Sequence, residues 1–436
     1  MASLKKIVKS SAKVTLLFFI VLIIFLLGIF YAIRTPKVQT FIVQKITKSI
    51  SKQLGVDIEI DNVNIEFFNK IELHKLYAKD TKNDTIFYLG DLQANFSYFS
   101  FLQKKITLKN VEANEFYLNI NRAYNDSLFN INYIKLSGDN KKTTNSTATI
   151  PWDIIVRNTN FYNTKVNYND EYGGLKLTAL ADTVNLDFDM FKLGNDLILL
   201  ENLIVNNPNV ALSLNPANPD KKKKDTHKGF YLPVKIISGN VNLTNGFFTL
   251  KNNLATDTFA ADFNPNNLKL NNINLLAKKV EVGKDSLSAN INSLSLNEND
   301  KFWIDNLSTV VQFGNAAIKL NDFELQTNKS KILADASLRY DSLVDFNNFI
   351  NNINIDFNLK PSTIHPNDIN YFVNTSKFRV RYPIKLSGEI YGKVKNFNSK
   401  NLSFQTASNV IFNGEFSMNG LPNINETFIS GKVSRL

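Results

Sequence analysis

Hydrophobic and polar residues alternate with a period of two along most of the chain from residue 56 onward. Such alternation is typical of β-strands with one apolar and one polar face. No helical patterns of about 10–15 residues separate the strands, so the crossovers of a parallel sheet are not indicated. The sequence therefore predicts a mainly β, antiparallel body over residues 56–436. Stacked in one long curved sheet, such strands form a groove with an apolar inner face.

The two clearest alternating segments supply our candidates for residues that line this groove. Their apolar positions share one face of each predicted strand: Val184, Leu186, Phe188, Met190, Ile353, Ile355, Phe357 and Leu359. An apolar face of this length is either filled by its own side chains, as in a sandwich core, or left open for an apolar ligand. The sequence leaves both alternatives open.

A loose motif recurs along the strands: apolar, any residue, Asn or Asp, apolar, any residue, apolar. Its third positions are Asn62, Asn110, Asn202, Asn272 and Asp322. These positions are unevenly spaced, which argues against a solenoid of fixed period. Asn or Asp at the third position can turn or bulge a strand through side-chain hydrogen bonds. A general compositional bias toward Asn explains the motif equally well.

The first 55 residues follow a different pattern. Residues 14–33 carry no charge, and a helix of that length covers roughly 30 Å, the thickness of a bilayer's hydrocarbon core. The run is too long for the core of a cleaved signal peptide, and no A-x-A-like site follows it. We therefore predict an uncleaved transmembrane signal anchor after a cytoplasmic tail of residues 1–13. A short tail and a single span favour a cytoplasmic N-terminus.

An amphipathic helix is predicted over residues 37–54, and Gly55 is a plausible stop. Its apolar positions recur every three or four residues: Val38, Phe41, Ile42, Ile46, Ile50 and Leu54. The helix either packs on the body that follows or lies near the bilayer surface, and we favour packing. Short helical turns are also expected at residues 343–350 and 366–373. Surface loops are expected at residues 137–150 and 215–229.

The net charge of +11 belongs to the N-terminus. The first 52 residues hold nine basic residues and no acidic one, which leaves 41 Lys and Arg against 39 Asp and Glu in the rest of the chain. A nearly neutral body does not indicate a nucleic-acid partner. The absence of Cys excludes disulfides, thiolate metal sites and cysteine nucleophiles.

Catalytic motifs are also missing from the sequence. It has no G-x-S-x-G elbow, Walker A loop, G-x-G-x-x-G or H-E-x-x-H, and His74, His227 and His365 lie far apart. Asp187 and Asp189 share a strand face, but they match the solvent side of the clearest alternating strand. We predict no catalytic residue, no metal ligand and no cofactor, and the protein is not expected to be an enzyme.

Several segments together resemble TamB proteins of the AsmA-like group, especially those of Bacteroidota. They begin with RTPKVQ at residues 34–39 and LGVDIEI at 54–60, on either side of the amphipathic helix. The likeness continues through short segments of the body: VNIEFF at 63–68, DTIFY at 84–88, LKNV at 108–111, YDSLVDFNNF at 340–349 and NDINYF at 367–372. Members of this group are usually much longer, so the resemblance implies an N-terminal portion or an unusually short protein.

The resemblance implies a single-pass inner-membrane protein whose long curved sheet closes into a taco-like periplasmic β-groove and carries phospholipids between the inner and outer membranes. Its alternative implication is a factor for translocation or assembly of outer-membrane or secreted proteins that works with an Omp85-type partner. A membrane-tethered structural β protein without ligand is a third hypothesis. The resemblance leaves open the lipid type, the direction and energy source of transport, and the oligomeric state.

Overall fold

The fold is seen in a computed structural model. It describes residues 21, 35–66, 69–80, 82–97, 100, 103–126, 128–133, 153–188, 191–192, 197–219, 235–255, 262–283, 285–373, 379–406, 410–421 and 426–435. Of the predicted membrane anchor at residues 14–33, all but Val21 lies outside the described residues. None of the helices that are described is both long and apolar enough to cross a bilayer.

The protein is mainly β. The strands are β1 (Asp57–Glu66), β2 (Lys70–Lys79), β3 (Thr85–Phe96), β4 (Lys105–Arg122), β5 (Asp153–Val156), β6 (Thr159–Asp170), β7 (Leu175–Asp187), β8 (Phe191–Lys192), β9 (Leu197–Asn206), β10 (Asn209–Leu214), β11 (Lys235–Asn252), β12 (Asn267–Val282), β13 (Leu287–Glu298), β14 (Phe302–Phe313), β15 (Ala317–Gln326), β16 (Lys331–Arg339), β17 (Asn354–Ile364), β18 (Ile384–Lys393), β19 (Asn396–Thr406), β20 (Val410–Asn419) and β21 (Phe428–Arg435). The helices are α1 (Pro36–Leu54), α2 (Phe349–Asn352) and α3 (Pro366–Phe372), with 3₁₀ turns η1 (Asn130–Tyr133) and η2 (Leu343–Asn348).

All these strands belong to one long curved sheet. Strands that follow each other in sequence pair antiparallel from β1 to β4 and again from β11 to β21. Between these two stretches, one long strand is paired along its length by two shorter strands in succession. For example, β4 pairs with both β5 and β6, and β11 pairs with both β9 and β10.

The prediction of a wholly antiparallel sheet is wrong, because the sheet is mixed. Strands β5 and β6 run parallel to β4, and β11 runs parallel to β9 and β10. Parallel neighbours require a crossover of a dozen or more residues. The connections from β4 to β5 and from β10 to β11 therefore join parallel strands, and the segments 137–150 and 215–229, predicted as surface loops, belong to them. Of these loop residues, only 215–219 are among those described.

The helix predicted over residues 37–54 is present as α1, which lies along the edge strand β1. Gly55 ends it in the left-handed conformation, with φ 73°. The Gln39 amide binds the β1 backbone twice: its Nε2 donates to the carbonyl oxygen of Ile65, and its Oε1 accepts from the Ile65 N–H, each at 3.1 Å. Ser51 Oγ accepts from the Ile58 N–H at 3.1 Å. The helix thus satisfies backbone groups that an edge strand leaves unpaired.

The buried positions of α1 differ from the predicted apolar stripe. Gln39 and Thr47 are buried, whereas Phe41 is 63% exposed. Polar side chains face β1 because an edge strand offers backbone donors and acceptors there. The helical turns expected near residues 343–350 and 366–373 are confirmed by η2, α2 and α3.

Candidate functional site

A continuous row of apolar side chains crosses the sheet from β1 to β16. Each member is the direct cross-strand partner of the next: Val63, Leu73, Leu92, Ala113, Phe161, Val184, Val205, Leu243, Leu275, Leu294, Leu307, Leu325 and Ile332. Directly opposed side chains lie on the same face of a sheet. We call this row the central row, and the face that carries it the apolar face.

The apolar face stays continuous because some strands shift their alternation at a residue with positive φ. In β4, Leu108 and Val111 are three residues apart, and Asn110 between them has φ 47°. Asn272 in β12 and Asp322 in β15 have φ 51° and 49°, and the pairing register shifts at both. Asn and Asp tolerate this conformation better than other non-Gly residues. Three of the five motif positions thus keep apolar residues on one face, whereas Asn62 and Asn202 show no positive φ.

Five of the eight predicted lining residues extend along two strands of the apolar face. Val184 belongs to the central row, and Leu186 follows it in phase on β7. Phe357 lies on β17 opposite Ala336 of β16, and Ile355 and Leu359 flank it in phase. Because Ala336 and the central-row residue Ile332 alternate in phase along β16, both sets occupy the same face of one sheet.

Of the remaining three lining candidates, the two that the structure describes lie just outside the strands. Phe188 follows β7 and is 6% exposed, and Met190 falls outside the described residues. Ile353 precedes β17 and is fully buried. These positions lie at the limits of the alternating segments, where a period-two pattern does not distinguish a strand from an adjoining turn.

Near β17 the chain covers its own apolar face. Tyr340, Ile353 and Ile355 form a buried cluster, and Phe346 of η2 and Phe349 of α2 pack against it. The ring centroids of Tyr340 and Phe346 are 5.0 Å apart in an edge-to-face arrangement. On this stretch the face is a packed core, so the two alternatives that the sequence left open apply to different stretches of one sheet.

The central row is more exposed than a globular core. Its members Val184, Val205, Leu275 and Leu307 are half-buried, and only the part near β3 and β4 forms a second buried cluster, with Leu92 and Ala113. A close-packed interior would bury such side chains on all sides. Between β7 and β15 these central-row side chains are therefore not fully enclosed by the chain itself.

Hydrogen-bonded polar side chains line the opposite face. Asn207 Nδ2 donates to Asp182 Oδ2 at 2.7 Å, and Asn245 Nδ2 donates to Asn207 Oδ1 at 2.8 Å. In a second ladder, Asn202 Nδ2 donates to Asp187 Oδ2 at 3.0 Å, and Asn240 Nδ2 donates to Asn202 Oδ1. Cross-strand pairs of this kind stabilise register. The abundant Asn residues thus form ladders across the polar face.

A second row on the apolar face runs from Ile58 of β1 to Phe302 of β14. Its successive cross-strand partners are Ile58, Ala78, Phe87, Leu118, Val166, Ala179, Val210, Phe248, Leu270, Glu298 and Phe302. Glu298 is the polar exception, 5% exposed, and burial raises the pKa of its carboxyl. Sequence reasoning missed it, although it follows Leu294 and Leu296 in phase.

Few groups on the described part of the chain suit catalysis or metal binding. No cluster of three or more His, Asp or Glu residues that could hold a metal ion occurs among the described residues. Asp187 is engaged in the Asn202 ladder, and His74 Nδ1 lies 2.6 Å from Asp91 Oδ1 on an exposed surface. Asp189 falls outside the described residues.

Comparisons with protein-family models, curated proteins and solved structures found no match for this chain. The fold and the site themselves define a mainly β protein in which one curved sheet carries a long apolar face and an opposite polar face with ladders of Asn side chains.

Proposed function

We propose that the protein is a non-enzymatic lipid conduit in which phospholipid acyl chains lie along the apolar face. The observation that carries this proposal is the central row, whose members are apolar on every strand it crosses from β1 to β16. Strands lie about 4.8 Å apart, so the row extends over roughly 60 Å. That distance is about twice the hydrocarbon thickness of a bilayer, which gives room for several lipids in succession.

Two further features support a lipid ligand. An acyl chain gains free energy in proportion to the apolar area removed from water, without directional contacts, and a half-buried aliphatic row provides such area. The resemblance of the sequence to TamB proteins points to the same ligand. With the predicted anchor at residues 14–33 in the inner membrane, the body would carry phospholipids between the inner and outer membranes.

Site-specific photo-crosslinking in cells tests this proposal. A crosslinking side chain replaces Val184, which is half-buried on the apolar face, or Ile204 on β9, which is 37% exposed on the polar side. We expect phospholipid adducts at position 184 and none at position 204. Equal labelling at both positions, or no lipid at position 184, would overturn the proposal.

One observation favours the second candidate function, assembly or translocation of outer-membrane proteins. Strand β21 pairs with β20, and no other described strand borders it, whereas α1 covers the opposite edge strand β1. Phe428, Ile429 and Val433 of β21 are 77%, 66% and 50% exposed. An exposed edge strand is a template for pairing with a further strand. Crosslinks from Ser430 to an Omp85-type protein, without lipid adducts at Val184, would favour this candidate.

A further inference from the structure

The carboxyl group of Glu298 lies in a strongly apolar environment. Its direct cross-strand neighbours are Leu270 of β12 and Phe302 of β14, both on the apolar face. A backbone N–H, that of Lys269, donates to the carboxylate, but the Oε2 atom finds no hydrogen-bond partner among the described residues. Buried polar atoms are partnered in the great majority of cases, so an orphan of this kind requires an explanation.

A second orphan polar atom lies beside the same phenyl ring. Tyr371 of α3 stacks on Phe302 with ring centroids 5.4 Å apart and planes 9° apart, and it is 6% exposed. Its hydroxyl also lacks a partner among the described residues. Phe302 thus has two buried polar neighbours, Glu298 as its cross-strand partner and Tyr371 stacked on its ring.

The helix that brings Tyr371 here is firmly held. Asp368 Oδ2 accepts from Thr327 Oγ1 at 2.6 Å and from Ser330 Oγ, and the His365 N–H donates to Ser330 Oγ at 2.8 Å. The Phe263 N–H donates to the Tyr371 carbonyl oxygen at 3.0 Å. The position of the Tyr371 ring is thus fixed by the fold.

The other buried acidic residue among those described, Asp170, shows what a satisfied carboxylate looks like on this face. Arg122 Nε and Nη2 donate to the two oxygens of Asp170 at 2.7 and 2.6 Å, and the guanidinium lies between the rings of Phe129 and Tyr172. Glu298 takes part in no ion pair among the described residues. The charge of Lys301 opposes the rise in the pKa of Glu298 without cancelling it, and the Lys301 ammonium pairs with Asp262 at 3.2 Å. Asp170 is paired with an internal cation that lies over two aromatic rings, whereas Glu298 has the aromatic neighbour Phe302 and no paired cation.

Resting on the proposed function, we propose that Glu298 and Tyr371 bind the ammonium head group of a phospholipid whose acyl chains occupy the apolar face. A buried carboxylate needs a cationic donor, and aromatic rings attract a cation through their faces. Phe302 and Phe372, whose centroids are 5.1 Å apart, supply such rings, and Phe372 is 47% exposed, which leaves the cluster reachable from outside. A primary ammonium donates to Glu298 Oε2 and to the Tyr371 hydroxyl oxygen, whereas a glycerol head group carries no charge for the carboxylate.

Native mass spectrometry of the full chain in detergent tests this assignment. The protein is incubated with equal amounts of phosphatidylethanolamine and phosphatidylglycerol that carry identical acyl chains. A charge-assisted hydrogen bond corresponds to about tenfold in affinity, so we expect about tenfold more phosphatidylethanolamine bound. In Glu298→Gln the preference should fall to near unity while the total lipid bound stays the same, and Tyr371→Phe should reduce it partially. Glu112→Gln, on the exposed side of β4, is the matched control and should keep the preference.

The outcomes separate the two proposals. Lipid bound without a head-group preference, or a preference that survives both Glu298→Gln and Tyr371→Phe, overturns the ammonium site and leaves the lipid conduit standing. A protein that binds neither lipid overturns both. Because Tyr371→Phe keeps the stacked ring, it still tests the site if Glu298→Gln fails to fold.

Discussion

Asn207 Nδ2 lies 2.7 Å from Asp182 Oδ2, and Asn207 itself has a backbone φ of 51°. The residue thus combines a left-handed backbone with a ladder of side-chain hydrogen bonds that continues to Asn245, which has φ 53°. Val205 and Val210 on either side of this position both remain on the apolar face. The polar ladder and the continuity of the apolar face therefore depend on the same residues.

Substitutions at Asn207 separate these two roles. Asn207→Gly keeps the positive φ but removes two exposed hydrogen bonds, and we expect a loss of about 1 kcal/mol in the free energy of unfolding. Asn207→Val should lose about 1–2 kcal/mol more, because a β-branched side chain is strained at this φ. Urea unfolding followed by circular dichroism measures both. Asn209→Val, on the neighbouring strand β10, is the control and should change stability by less than about 0.5 kcal/mol.

Period-two alternation predicts the presence of strands, since the two clearest segments overlap β7 at residues 184–187 and β17 at residues 354–359. The motif includes Asn110, Asn272 and Asp322, where the alternation shifts. The same motif misses Asn163 and Asn207, which have φ 53° and 51°. The motif requires an aliphatic or aromatic residue directly after the Asn or Asp, but Thr164 follows Asn163 and Pro208 follows Asn207. The left-handed conformation is a property of the backbone, and several residue types are compatible with it.

Tertiary placement explains the other misses. A polar loop on the surface and a polar crossover have the same composition, so the parallel pairings after β4 and β10 could not be predicted. Glu298 is in phase with the apolar residues Leu294 and Leu296 of β13. In a sequence pattern, however, a charged residue usually indicates that the apolar face has ended. Only the register with Leu270 and Phe302 shows that this carboxyl is inside the row.

The contact between α1 and β1 gives a second prediction. Gln39 is 3% exposed and binds both backbone groups of Ile65, so Gln39→Ala leaves a donor and an acceptor of the edge strand without their partner. We expect a loss of about 2 kcal/mol, measured by thermal or urea unfolding, because the backbone groups lose one hydrogen bond each. Gln44→Ala, on an exposed position of the same helix, is the control. Equal stability of the two variants would contradict the role of Gln39.

The two buried carboxyls should respond in opposite directions to amide substitution. Asp170→Asn removes the countercharge of Arg122, whose side chain is 14% exposed, and we expect a loss of about 3 kcal/mol. Glu298→Gln removes a buried carboxylate that forms no ion pair with a described side chain and whose pKa is raised by burial, so we expect equal or greater stability in the lipid-free protein near pH 7. Unfolding of both variants beside the parent protein measures the difference. Destabilisation of similar size in both would contradict the contrast between the two sites.

The pH dependence of stability follows from the raised pKa of Glu298. Burial raises the pKa of this carboxyl in the folded protein above its value in the unfolded chain, so the folded state binds more protons in the interval between the two values. Glu298 therefore lowers the free energy of unfolding as pH rises through its unfolded pKa and on to its folded pKa. In lipid-free protein, the free energy of unfolding of Glu298→Gln relative to the parent protein should increase over that interval and stay constant above it. A difference in free energy of unfolding that is independent of pH would contradict the raised pKa.

A charge in the central row should reduce lipid binding without unfolding the sheet. Val184 is a half-buried member of the central row, so Val184→Asp places a carboxylate where acyl chains are proposed to lie. Ile204→Asp is the matched control, since Ile204 is an aliphatic residue on the neighbouring strand that points to the polar side and is 37% exposed. We expect Val184→Asp to reduce the lipid that copurifies with the protein by about tenfold, because a buried charge must stay solvated and excludes the chain. Ile204→Asp should keep the lipid.

Melting temperatures of the two variants separate lost binding from lost folding. If the face is a packed core, Val184→Asp unfolds the protein. If the face is open, the melting temperature of Val184→Asp stays close to that of Ile204→Asp.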